Sequence, residues 1–202
     1  MLPIQLKTDG LLALVVGAGA VGLRKADAWR NSGGDVRFVD PRPGIAVKDE
    51  IIREPFAPQH LEDVSLVFAC ATDAVNELVV TTAHANGLLV CDAIRPERGE
   101  FTLPAIMRRG DLTVAVSTNG AAPTLARRLR ERLEAEFDDA YAAWTAVLKK
   151  VRTSVLQATE NPELRHDIFR ALTDATWLER LRQIGPEATE AEMLQFVASA
   201  DG

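Results

Sequence analysis

The chain has 202 residues, 47% apolar and 26% charged, a balance that fits one sizeable folded domain plus an appendage and excludes a disordered chain. Its net charge of −6 argues against non-specific binding to nucleic acid, while leaving room for a local basic patch that holds an anionic small molecule. No apolar run approaches the roughly 20 residues of a membrane-spanning helix, and two cysteines without a close pair, Cys70 and Cys91, point to a reducing cytoplasm.

Lys7 ahead of an apolar run has the outline of an export signal. Asp9 interrupts that approach, and Arg24-Lys25 stand where a cleavage region is uncharged, so no targeting segment is expected. Strand-like runs follow at Leu11–Val16, Asp35–Val39, Ile51–Arg53, Ser65–Ala69, Leu88–Cys91 and Leu112–Val116. Several are apolar throughout, as strands buried on both faces of a parallel sheet are. Helical patterns at about 20–32 and 74–86 link them into βαβ units. From Thr118 and Asn119 a helix is expected, with Leu125, Leu129, Leu133 and Phe137 as one apolar stripe. The pattern runs on through Tyr141, Trp144 and Leu148 to about Ala158, where Asn161-Pro162 breaks it. Two more helices are expected at about 162–182 and 187–199, separated by Gly185-Pro186. The expected fold class is α/β, a Rossmann-like parallel sheet domain followed by a helical dimerisation segment and a small helical C-terminal domain. The expected divisions are 1–113, 114–150 and 151–202.

The strongest local signal is Gly17-Ala18-Gly19-Ala20-Val21-Gly22, which fits G-x-G-x-x-G between a strand and a helix. The first glycine permits the tight turn, the second admits a pyrophosphate, and the third lets helix and strand pack closely. The N–H groups of Ala20, Val21 and Gly22 open the helix and face a phosphate. Asp40 ends the next strand, 21 residues beyond Gly19, where a carboxylate accepts from ribose hydroxyls and favours NAD over NADP. Pro41 and Arg42 follow it, and a nearby arginine is also the residue that takes a 2′-phosphate. Thr72, after the fourth apolar run, is placed to hydrogen-bond the dinucleotide, with Asp73 as a helix cap. An unliganded glycine turn is the plain alternative, and NAD binding alone also serves non-catalytic sensors.

Four segments carry a resemblance to a known family. They are MLPIQL at residues 1–6, GAGAVGLRKA at 17–26, CATDAVN at 70–76, and residues 91–134 from CDAIRPERGEF to LRERLE. In this order they resemble the precorrin-2 dehydrogenase family, including the N-terminal module of siroheme synthase. The likeness spans roughly residues 1–150. Departures are Ala18, Gly22 and Leu89, and Asn119 and Ala122 in the loop before the long helix. The resemblance implies NAD-dependent oxidation of precorrin-2 to sirohydrochlorin by a homodimer. Some family members also insert ferrous iron. No methyltransferase segment lies in these residues, so precorrin-2 is expected from another polypeptide.

On that resemblance Asp92 is the catalytic candidate, at the carboxyl end of the fifth strand where open α/β sheets place ligands. Its carboxylate serves as a base beside the nicotinamide or holds a pyrrole N–H; the plain alternative is a turn cap. Arg108, Arg109, Arg127 and Arg128 are candidate substrate-binding residues, because precorrin-2 carries eight carboxylates. A solvated face paired with Glu131, Glu134 and Glu136 is the alternative. Cys70 and Cys91 read as small buried groups. His60, His84 and His166 are scattered without ligand spacing, so no preformed metal site is expected. Two alternatives stand beside the dehydrogenase: a bifunctional dehydrogenase and ferrochelatase, and a non-catalytic NAD-sensing domain.

Overall fold

The computed structural model describes residues 1–43, 47 and 49–200. The chain forms two compact units, Met1–Leu103 and Pro104–Gly202.

The first unit is built on five strands: β1 Leu12–Val16, β2 Asp35–Val39, β3 Glu50–Ile52, β4 Leu66–Ala69 and β5 Leu89–Asp92. They lie in the order β3-β2-β1-β4-β5, and every neighbouring pair is parallel. Helix α1, Ala20–Arg30, follows β1, and α2, Asp73–Ala85, joins β4 to β5. The alternation of side chains along β1 sends Ala13 and Val15 to one face, where they pack with Phe38, Phe68 and the α1 residues Ala26 and Trp29. Leu14 and Val16 go to the other face, with Val67, Val90 and the α2 residues Val79, Val80 and Ala83. Both faces are covered, which is why these strands read as unbroken apolar runs. The expected Rossmann-like sheet is the observed one. Its chain order runs outward in both directions from β1, so a crevice opens at the carboxyl ends of β1 and β4.

The second unit opens with a separate antiparallel pair, β6 Ala105–Arg109 and β7 Leu112–Val116. The run at Leu112–Val116, expected to follow the parallel strands, pairs with β6 instead. Arg109 and Leu112 face each other across a two-residue turn, and Gly110 takes a φ of 56° there. Gly-Asp between two alternating runs is the sequence mark of such a hairpin.

Five helices follow: α3 Pro123–Glu136, α4 Ala140–Ala158, α5 Pro162–Leu172, α6 Ala175–Ile184 and α7 Pro186–Ala200. The single long helix expected from Thr118 to Ala158 is therefore two. Phe137 turns extended, and the Asp138 carboxylate accepts the Ala140 N–H to restart the chain as α4. The run at 162–182 also divides, because Asp174 caps α6 through the Thr176 N–H and hydroxyl. Thr118 does not cap α3 itself; its hydroxyl accepts the N–H of Ala122, the residue before the helix. Asn119 sits at φ 50°, a left-handed position that asparagine tolerates better than most residues.

Val147, Val151 and Val155 of α4 share one core with Ile168 and Leu172 of α5, Leu181 of α6, and Met193 and Val197 of α7. Helix α4 runs unbroken through residue 150, so the helices do not part at the expected 150/151 division. The compact units also part at Leu103/Pro104 rather than at residue 113, because the β6–β7 hairpin packs on α3.

Among the described glycines, Gly22 under the turn is the most closely enclosed. A Cβ on Gly22 would run into the carbonyl oxygen of Gly17. Gly22→Ala should cost about 3 kcal/mol or more, at or beyond the upper end of ordinary overpacking. Urea unfolding followed by circular dichroism checks this, and a loss under about 0.5 kcal/mol contradicts it.

Candidate functional site

The chain leaves β1 at Val16 and turns at Gly17, whose N–H donates to the Val39 carbonyl at 2.8 Å. Gly17 has φ 99°, and a Cβ there would lie 2.6 Å from the Cys70 carbonyl oxygen. The turn thus lies directly against the end of β4. Gly19 differs: a Cβ there would meet only an Arg42 guanidinium nitrogen at 3.8 Å. Beside Gly19 is open space, of the kind a pyrophosphate needs. Gly19 is also the N-cap of α1, with no side chain to satisfy the first N–H groups and no acid in the first turn. Ala20 and Val21 are exposed there, so the helix start offers its amides to an anion. Gly22 lies buried beneath the turn and serves packing.

A cleft of about 450 Å³ continues from this turn. Val16, Val39, Pro55, Phe56 and Val75 give it apolar walls, and Pro41, Ala71 and Thr72 line its rim. Thr72 is the N-cap of α2 but makes no side-chain cap bond, so its exposed hydroxyl is uncommitted to the helix. Asp73, expected to cap, is the first residue of α2, and its carboxylate pairs with Arg95 and Arg98 instead.

Asp40 follows β2 directly, inside this cleft, and is 2% exposed. Its Oδ2 accepts the Ala18 N–H at 2.7 Å and the Arg42 Nη2 at 2.6 Å. Its Oδ1 accepts the Arg42 N–H at 3.0 Å and Nε at 2.9 Å. The Arg42 guanidinium, with the two backbone amides, holds the Asp40 carboxyl well below the usual carboxylate range against the opposing effect of burial. The glycine turn, the open space at Gly19, the apolar slot and the acid fit a dinucleotide. Gly17, Gly19, Asp40, Pro41, Arg42 and Thr72 would line its site, with Ala20 and Val21 at its phosphates.

One strand beyond β4, Asp92 ends β5, in register with Ala69. It is 2% exposed. Its Oδ1 accepts the N–H groups of Ile94 at 2.9 Å and Arg95 at 3.1 Å, and the Asn76 amide at 3.0 Å. Among the described residues its Oδ2 is held by Arg98, through Nε at 2.7 Å and Nη2 at 2.6 Å. Burial pushes the Asp92 carboxyl up, but the Ile94 and Arg95 amides, the Arg98 guanidinium and the Asn76 amide outweigh it and hold it below its ordinary value. Asp92 is therefore a fixed anion with one oxygen on a rigid cradle and the other under a single side chain. Arg98 bridges on to Asp73 at 2.7 Å, and Arg95 binds the same acid at 2.8 Å.

Asn76 and Arg98 both hold Asp92, and the sequence reading gave neither a role. Asn76 is fully buried on α2; it donates to the Ala69 carbonyl and accepts the Ala71 N–H, tying β4, α2 and Asp92 together. An asparagine inside a helix, where its propensity is poor, was the available signal.

In the second unit Arg108 and Arg109 lie on β6, and Arg127 and Arg128 on α3. Arg109 donates to the Glu134 carbonyl and pairs with Asp139, while Arg127 pairs with Glu131. Arg108, Arg127 and Arg128 are exposed. Both cysteines are free thiols packed in the first unit's core. Burial pushes the Cys70 thiol up to about 12, and Lys25 donates to the Cys91 sulfur at 3.3 Å. Among the described residues no cluster of three His, Cys, Asp or Glu could hold a metal, and no helix is long and apolar enough to cross a membrane.

Comparison with known proteins matches residues 4–105 to a family described as "Putative NAD(P)-binding" and residues 109–136 to one described as "Sirohaem biosynthesis protein central". A siroheme synthase of Pseudoalteromonas translucida is 31% identical over 213 residues, covering 100% of this chain and 45% of that protein. Siroheme synthase 2 of Aeromonas hydrophila is 40% identical over 139 residues, covering 66% of this chain and 30% of that one. The chain thus spans less than half the length of these relatives. Among solved structures, SirC, a precorrin-2 dehydrogenase, shares the fold with a TM-score of 0.78 at 24% identity, over 98% of this chain and 100% of that one.

Gly19→Asp fills the open space at the turn and adds a charge of the pyrophosphate's sign. It should abolish NAD binding in calorimetric titration while leaving the urea midpoint unchanged, since no backbone crowds that position. Retained NAD affinity contradicts this placement.

Proposed function

We propose, from the premise that the chain belongs to the NAD(P)-binding family found in siroheme synthases, that it oxidises precorrin-2 to sirohydrochlorin with NAD. One observation carries the reading: a dinucleotide cleft at β1 and β4 beside a buried, ionised carboxylate at the end of β5. The oxidation removes a hydride and a proton from the tetrapyrrole. NAD, when bound, takes the hydride. The chain's part is to hold the substrate against the cleft and to manage the proton and the positive charge left behind.

Asp92 is the residue for that second task. Its Oδ1 is anchored by three donors, so the carboxylate cannot drift. Its Oδ2 becomes available when Arg98, 20% exposed, turns aside toward Asp73. The oxygen then accepts the departing proton or holds a pyrrole N–H. The arginines of β6 and α3, Arg108, Arg109, Arg127 and Arg128, supply positive charge for a substrate rich in carboxylates, on a chain that is otherwise acidic. The free thiols fit a cytoplasmic setting.

Anaerobic absorbance assays with precorrin-2 and NAD test this reading. Asp92→Ala should keep NAD affinity and lose about a hundred- to ten-thousand-fold in rate. Asp92→Asn keeps the size but not the charge, and should fail nearly as badly. Normal oxidation by the Asn variant removes Asp92 from the chemistry. Because the folded carboxyl lies below its unfolded value, Asp92 stays ionised from neutral pH down to about pH 4. With Arg98 in place the resting enzyme therefore shows no Asp92 ionisation between about pH 5 and 8, and the stability the carboxylate lends is lost only as pH falls further. The same assay given sirohydrochlorin and ferrous iron separates a dehydrogenase from a bifunctional ferrochelatase.

The protein is also proposed to be a homodimer through α3. Leu125 and Leu129, on the apolar stripe, are 50% and 39% exposed in the single chain. Light scattering at micromolar concentration should give about twice 22.0 kDa, and Leu129→Asp should shift it toward one chain. A stable monomer contradicts the proposal.

A further inference from the structure

We propose that Arg42 sets the dinucleotide preference of this site by occupying the acceptor positions on Asp40 that a ribose diol would use, so that the cleft admits NADP nearly as well as NAD. The inference rests on the dinucleotide reading above and concerns only its adenosine end.

A carboxylate has about four lone-pair directions. On Asp40 all four are taken, by the amides of Ala18 and Arg42 and by the Nε and Nη2 of the Arg42 guanidinium. The two amides are fixed by the turn and by the strand end. The two guanidinium bonds are not, because the Arg42 side chain is 61% exposed while Asp40 is buried. A 2′,3′-diol therefore gains an acceptor only by displacing the guanidinium, and each bond it makes replaces a charge-assisted one. The usual advantage of NAD at an acidic strand end is blunted.

The same guanidinium stands where an anion would arrive. It lies between Asp40 and Gly19, and Nη2 would be 3.8 Å from a Cβ on Gly19. With Arg42 in place, the end of β2 presents an ion pair rather than a bare anion. A 2′-phosphate then meets the three guanidinium N–H donors that Asp40 does not use, and the repulsion from Asp40 is offset. Arg53 donates to the Arg42 carbonyl at 3.2 Å, a bond to the backbone that does not involve the Arg42 side chain.

Arg42→Ala separates the effects. The amide of residue 42 remains, so Asp40 keeps two backbone donors and the strand end keeps its form. The bare carboxylate then accepts the diol without competition and repels a 2′-phosphate. Dissociation constants for NAD and NADP, measured by calorimetry on wild type, Arg42→Ala and Arg42→Lys, give the readout without any turnover. The wild type should bind the two within about tenfold, and Arg42→Ala should raise the preference for NAD by at least about tenfold, through tighter NAD and weaker NADP. Arg42→Lys, which keeps the charge but loses the fork, should fall between them. A wild-type preference for NAD above about a hundredfold, or a ratio that Arg42→Ala leaves unchanged, overturns the inference alone. If neither dinucleotide binds the wild type, the proposed function falls and this inference with it.

Discussion

The carboxyl edge of the sheet depends on how closely the glycine turn lies against its neighbours. Gly17 packs on the Cys70 carbonyl and Gly22 on the Gly17 carbonyl, at separations no side chain fits. That contact fixes where α1 starts, brings the Ala18 N–H onto Asp40, and opens the slot between β1, β2 and β4. The apolar runs on both sheet faces supply the stability, but this turn decides which backbone amides face the cleft.

Two buried carboxylates, one just past β2 and one ending β5, then obey one rule. An ionised acid out of water requires full hydrogen bonding and an opposite charge. Asp40 meets this with two amides and Arg42; Asp92 meets it with two amides, Asn76 and Arg98. In each case backbone supplies the rigid half and a single arginine the movable half. The acids remain charged near neutrality, and on the proposed reading a ligand reaches either one past its arginine. The arginines are thus as much a part of the site as the acids.

Much of this was legible in the sequence. The strands of the parallel sheet were readable because burial on both faces leaves continuous apolar runs, and the glycine turn with Asp40 because their spacing is local. Asn76 and Arg98 were not, since Asn76 lies sixteen residues from the acid it holds and meets it only through the pairing of β4 with β5. Strand β6 was hidden because Arg108-Arg109 read as charge for a ligand rather than as the end of a hairpin strand. The break between α3 and α4 was hidden because the apolar spacing from Leu125 to Leu148 continues across it. Only Asp138 and Asp139, two acids in succession, marked the interruption.

In the proposed function the cleft holds NAD as the oxidant of a tetrapyrrole. The most direct measurement is the stoichiometry of a single anaerobic turnover, with NADH and sirohydrochlorin followed together by absorbance. One NADH should form for each sirohydrochlorin, and no sirohydrochlorin when the dinucleotide is left out. Sirohydrochlorin produced at the same rate without NAD, or NAD bound with no transfer from precorrin-2, would contradict it.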